Sequence, residues 1–307
     1  MKRAFACALT LLLLVHAASG GQSPDKLSNY LYEDTKQLVA LVEAAASLIE
    51  QKGEAAFPQF RVRHSKWFDQ QRYLFIYDPA GKCVFHPIEA QLVGQDLMQL
   101  KDIDGRPMVA MITEVAKRPE ADASDWIFYY WEESPRSRVP AWKSSYVRKA
   151  IAPGGAVYLV GSGLYNMKME RRFLEERVNR AADLVVAKGK DAAFGELRNR
   201  ACPLHILDTY ITVTDAHGDI VVDPAFPTLV KKRNLSDFRD MTGRNISMEI
   251  AAGLKDKDRI WLLYIWPKGE AGRLARHVMY VRKVTVEGKV FFVSASYVPA
   301  TPVWMRQ

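Results

Sequence analysis

The residues of this sequence whose types invite chemistry are spaced for holding a ligand rather than for transforming one. There is no GxSxG nucleophile elbow, and no Ser, His and Asp stand where a triad can be argued. CxxC, CxxCH and histidine pairs at metal spacing are absent. Gly161-Ser162-Gly163 fits neither GxGxxG nor GxxxxGK, so it is read as a place of close approach at the end of a strand. Asp102-Ile103-Asp104-Gly105 begins like a calcium loop but lacks the later ligands and closing Glu, and reads as a turn before a helix. The chain is therefore expected not to be an enzyme and to need no metal or cofactor. What remains are aromatic and hydrogen-bonding side chains on strand-like stretches. Alternation puts Tyr73, Phe75 and Tyr77 on one face, Tyr129 and Trp131 on one face, and Ser144, Tyr146 and Arg148 on one face. His86 is held extended by Pro87. Lys143 stands at the start of its strand.

The elements that must position these residues come in two copies. Tyr73–Pro87, YLFIYDPAGKCVFHP, is matched by Tyr210–Pro224, YITVTDAHGDIVVDP, with Tyr, Asp, Gly and Pro in register. Each reads as a β-hairpin around a four-residue turn, Asp78–Gly81 and Asp215–Gly218, with type I chemistry in the first. Long helical patterns, about Asp25 to Lys52 and about Lys168 to Lys188, precede the hairpins. Each leads through Lys-Gly into Ala-Ala-Phe, at Phe57 and Phe194. After each hairpin come a short helix and three strands: Trp126–Trp131, Ser144–Lys149 and Val157–Gly161, then Arg259–Trp266, Val278–Lys283 and Val290–Ser296. Pro135–Pro140 reads as a loop. The expected fold class is α+β: two separate tandem modules, each a long helix followed by a five- to six-stranded antiparallel sheet. The boundaries fall at 22–165 and 166–307.

Residues 1–21 have the layout of a signal peptide: Lys2 and Arg3, an apolar run from Ala4 to Val15, then small residues. Export to the periplasm or beyond is expected. No other stretch approaches a transmembrane span, so the mature chain is expected to be soluble. The formal charge of +8 suits small anions, an anionic surface or simple solvation. No basic run interleaved with aromatics points to nucleic acid. Cys83 and Cys202 would enter an oxidising compartment, but sequence gives no distance between them.

With these pieces in place the first repeat resembles the single-Cache type 2 domain, a PAS-like extracytoplasmic sensor module. The resemblance rests on Tyr73–Asp78, Gly81, His86-Pro87, Leu92-Val93-Gly94, Asp104-Gly105, Tyr129–Trp131, Lys143–Arg148 and Val160–Tyr165. The second repeat is a weaker copy, with Asp223 for His86 and His277 for Lys143. The resemblance implies a pocket for a small organic acid and no catalysis. On that reading Lys143 and His86 hold the anion, Tyr73, Tyr129 and Tyr146 hydrogen-bond it, and Trp131 walls it. Tyr73 and Trp131 equally suit an ordinary core, and His86 and Lys143 an ordinary surface. A ligand-sensing protein of this kind would relay its bound state to a membrane receptor or kinase. The alternative is an interaction or structural module with both pockets filled by side chains. The second repeat, lacking the cation, is expected to be structural or tuned to a different ligand.

Overall fold

A computed structural model describes residues 25–69, 72–134, 137–268 and 272–300; the segment read as a signal peptide lies outside them. The first hairpin forms as β1 (Phe75–Tyr77) and β2 (Cys83–Phe85). Its turn closes through Gly81 N donating to the Asp78 carbonyl at 3.1 Å, while Asp78 Oδ1 accepts from Ala80 N and Lys82 N at 2.9 Å. Gly81 has φ +88°, a conformation that side chains disfavour. The second hairpin, β6 (Thr212–Asp215) and β7 (Ile220–Val222), repeats the arrangement. Gly218 N donates to the Asp215 carbonyl at 3.1 Å, and Asp215 Oδ1 accepts from His217 N and Asp219 N at 2.9 Å. The duplication seen in the sequence is thus a duplication of hydrogen bonds.

Three longer strands complete each sheet: β3 (Ser124–Ser134), β4 (Ser137–Ile151) and β5 (Val157–Tyr165), then β8 (Arg259–Lys268), β9 (Arg273–Val286) and β10 (Lys289–Tyr297). Both sheets are five-stranded and antiparallel, in the orders β2-β1-β5-β4-β3 and β7-β6-β10-β9-β8. The expected Pro135–Pro140 loop is shorter than predicted, because β4 already runs through Pro140, which pairs with Glu132. Pairing of β4 with β5 begins only at Lys143, so Pro140 lies where β4 has a free side and its missing N–H breaks no ladder.

One face of the first sheet is covered by α1 (Glu33–Lys52), whose Leu38, Val39, Val42, Ala45, Ala46 and Ile49 are buried. The two modules are not as separate as the sequence implied. Helix α3 (Arg171–Lys188) packs on both sheets; α2 (Met108–Thr113) lies on the opposite side of the first. From α3, Phe173 meets Trp126 and Phe128 of β3 at ring separations of 4.7 and 5.2 Å, and Arg180 forks onto Asp125 at 2.7 and 2.9 Å. Toward β9, Asn179 accepts from the Tyr280 hydroxyl at 3.2 Å and Asp183 pairs with Arg282 at 2.7 Å. One buried apolar cluster runs from Leu38 through Phe173 to Val293. The Asp102–Gly105 turn adds a second link. The buried Arg106 pairs with Asp102 and Asp104 and donates to the Arg200 carbonyl, at 3.2, 2.8 and 3.0 Å. Cys83 and Cys202 are both buried and free.

Gly161 on β5 is where the Phe75 ring lies down. A Cβ there would stand 2.5 Å from two Phe75 ring carbons and 3.1 Å from Val147 Cγ2. Gly161→Ala is expected to cost about 1–3 kcal/mol by overpacking. The measurement is a lower urea midpoint with an unchanged m-value.

Candidate functional site

The face of the first sheet turned away from α1 carries a second apolar cluster. Phe75, Tyr77, Ile127, Tyr129 and Val147 rise from the strands, and Met108, Val109 and Ile112 of α2 close over them. Among these side chains is a hollow of about 20 Å³, lined also by His86, Leu92, Trp131 and Lys143. That volume is about one water.

His86 reaches the hollow because of a β-bulge. Tyr77 pairs with Cys83 but Ile76 pairs with Phe85, so Val84 is an extra residue. Without it, parity would put His86 on the helix-covered face; with it, Phe85 faces the helices and His86 faces the hollow. His86 Nδ1 accepts from Glu89 N at 2.8 Å, which leaves the proton of the neutral ring on Nε2. Burial, with help from the Lys143 charge, pushes the imidazole down to about 3, so it stays neutral.

Lys143 lies inside β4 rather than at its start, opposite Tyr129 on one side and Tyr165 on the other. It is 2% exposed. Its ammonium donates to the Tyr73 hydroxyl at 2.6 Å and lies 4.4, 5.9 and 5.2 Å from the ring centres of Tyr73, Phe75 and Tyr165. It forms no ion pair among the described residues. Desolvation pushes it down to about 7, opposed by the more distant Glu89 carboxylate. Burial likewise raises the Tyr73 and Tyr129 hydroxyls, so both are neutral donors. The Tyr129 hydroxyl lies 3.0 Å from Ser145 Oγ, and the Tyr73 and His86 rings meet edge to face at 5.2 Å.

The structure therefore brings His86, Tyr129, Trp131 and Lys143 around one small hollow, sets Tyr73 outside its lining but against Lys143 and His86, and places Tyr146 elsewhere. Tyr146 is three residues from Lys143 on a regular strand and so faces α1, where its hydroxyl donates to Glu43 Oε1 at 2.7 Å. Sequence reading did not single out the cover, Leu92, Met108, Val109 and Ile112. The Leu92-Val93-Gly94 pattern and the short helix expected after the hairpin located it without showing which side chains turn inward.

In the second repeat the equivalent space is open. A cavity of about 820 Å³ lies between the second sheet and α4 (Ile246–Gly253). The reason is legible in the aligned strands. Thr212 and Thr214 stand where Phe75 and Tyr77 fill the first repeat, and both threonines line the cavity. The bulge recurs: Val213 pairs with Val222 and Thr214 with Ile220, so Val221 is the extra residue and Asp223 turns toward the cavity as His86 does. Tyr264 and His277 are paired across β8 and β9 as Tyr129 and Lys143 are across β3 and β4.

Residues 62–170 match the Cache domain family. The methyl-accepting chemotaxis protein McpP of Pseudomonas putida is 29% identical over 136 residues, which are 44% of this chain and 23% of McpP. The match thus spans less than a quarter of that relative. A solved structure described as the structural basis for carboxylic acid recognition by a Cache chemosensory domain is 25% identical. It covers 44% of this chain and 94% of its own, with a TM-score of 0.35. The ligand-binding domain of the Pseudomonas fluorescens chemoreceptor CtaA, in complex with L-alanine, is 15% identical. It covers 87% of this chain and 89% of its own, with a TM-score of 0.29. The chain is α+β, with two antiparallel sheets of the same strand order, the first of them formed within the residues that match the Cache domain, and no helix among the described residues is long and apolar enough to cross a membrane.

Proposed function

We propose, taking the Cache sensor domain of residues 62–170 as the premise, that this protein is an exported, non-enzymatic sensor. Its first repeat binds a small organic acid and presents the bound state to a membrane receptor or kinase. The observation that carries the acid is the buried Lys143 ammonium, aimed at the hollow with a neutral tyrosine hydroxyl as its hydrogen-bond partner. A buried charge without a counter-charge is costly. A carboxylate bound against it, with His86 Nε2–H as second donor, removes that cost. McpP's role as a chemotaxis protein supports the sensory part of this reading.

A hollow of about 20 Å³ does not admit even acetate as it stands. Binding therefore requires Leu92 or the Met108–Ile112 cover to move outward, and that movement is a physical change a partner can detect. A four-heavy-atom acid gains at most roughly 6 kcal/mol, a Kd on the order of tens of micromolar. The same small volume favours one second reading, an interaction module whose first pocket is filled by its own side chains.

A thermal-shift series with acetate, propionate, pyruvate and lactate, followed by calorimetry, separates the two. The sensor reading expects at least one acid to raise the melting temperature and bind with a Kd between about 1 μM and 1 mM, with binding lost in Lys143→Ala. No shift with any acid, or unchanged affinity in the variant, favours the filled module.

A further inference from the structure

We infer that the second repeat is a binding site in its own right, for a small organic cation with an apolar, aromatic-stacking body. This inference does not depend on the acid proposed for the first repeat. The cavity of about 820 Å³ falls in the range of pockets that enclose drug-sized molecules. Its wall is mainly aromatic and aliphatic. Phe238 packs edge to face on Trp266 at 5.0 Å and on Tyr264 at 5.8 Å, presenting aromatic surface of the kind that attracts cations.

The polar groups favour the same charge. Lys143 of the first repeat is replaced by His277, whose ring stacks on Tyr264 at 5.1 Å and is pushed below the ordinary histidine range by burial. The site therefore has an uncharged ring where its counterpart has an ammonium. His277 Nε2 is buried with no hydrogen-bond partner among the described residues, an unsatisfied ring nitrogen on a residue of the cavity wall. His86 of the first repeat is replaced by Asp223, turned inward by the Val221 bulge. Asp223 Oδ1 accepts from Ala225 N and Phe226 N at 3.1 and 2.9 Å. Oδ2 has no bond among the described residues and is available to a ligand. Two cations, Arg233 and Lys268, also belong to the wall, and both are solvent-exposed, where their charge is screened. Of the three carboxylates on the wall, Asp208 is solvent-exposed as the two cations are, whereas Asp215, which closes the hairpin turn, and Asp223 are half-buried. The two repeats thus share one backbone and oppose each other in charge.

The test is calorimetry on the full chain with three probes of similar size: phenethylamine, 2-phenylethanol and phenylacetate. Phenethylamine is expected to bind at least tenfold tighter than the alcohol, and phenylacetate most weakly. Asp223→Asn keeps the Oδ1 acceptor for Ala225 and Phe226, so the loop is retained while the charge is lost. It is expected to weaken phenethylamine at least tenfold. His277→Lys, which installs the cation of the first repeat, is expected to weaken phenethylamine to the same extent and to admit phenylacetate. Lys143→Ala is expected to leave phenethylamine binding unchanged. The inference is overturned by phenylacetate or the alcohol binding as tightly as the amine. It is equally overturned by both second-repeat variants binding the amine normally, by Lys143→Ala abolishing that binding, or by no probe binding at millimolar concentration.

Discussion

Lys143→Met is expected to leave the ligand-free protein at least as stable as the parent while weakening small-acid binding about 10- to 100-fold. The two effects have opposite signs because the ammonium does two things. In the empty protein it is a charge held at 2% exposure by a tyrosine hydroxyl and aromatic rings. Methionine fills similar space without the desolvation penalty, and apolar replacement of buried charge is often neutral or stabilising. In the complex the ammonium is the counter-charge. Charge-assisted hydrogen bonds contribute about 1.5–3 kcal/mol, which is about one to two decades of affinity. Paired melting curves and titrations of parent and variant read both quantities. A variant that loses stability and keeps its affinity would show Lys143 to be a structural residue.

Acid affinity is expected to fall as pH rises above about 7. The ammonium of the free protein is pushed down to about 7 by burial, and a bound carboxylate raises it again. Above pH 7, binding must therefore take up a proton, and affinity drops by up to about tenfold per pH unit until the bound form also titrates. Below pH 7 a plateau is expected. His86 is held down at about 3, so it does not charge, and affinity changes again only where the ligand's own carboxyl protonates. The empty protein moves the other way. Its unfolded chain binds the lysine proton up to the ordinary value of 10.5, so stability should rise between about pH 7 and that value, by at most about 1.4 kcal/mol per unit. Titrations at pH 6 to 9 in buffers of different ionisation heat measure the proton directly. Flat affinity with no proton uptake at pH 8.5 would sink the claim.

How much of this was legible in the sequence depends on whether it is a local property. Helix phase, turn chemistry and the duplicated hairpin are local, and they yielded both sheets with only edges and Pro140 displaced. Strand parity is local too, and it correctly separates Lys143 from Tyr146; grouping those two followed the family resemblance and not the alternation. The orientation of His86 could not be read, because a one-residue bulge reverses parity and Val84 carries no marker of it. Cavity volume was the least legible quantity. It depends on whether several separate positions are large together, as with Phe75 and Tyr77, or small together, as with Thr212 and Thr214. The copy expected to be structural or tuned to a different ligand consequently holds the larger space.

The bulge in each outer hairpin has a consequence for how such a protein diversifies. Just past the irregular step, position 86 or 223 is presented inward by the same one-residue shift in both copies, and in each the side chain accepts from the backbone N–H three residues on. Scaffold and the residue it presents therefore vary separately: a duplicated hairpin can carry histidine in one copy and aspartate in the other while the ladder beneath stays as it was.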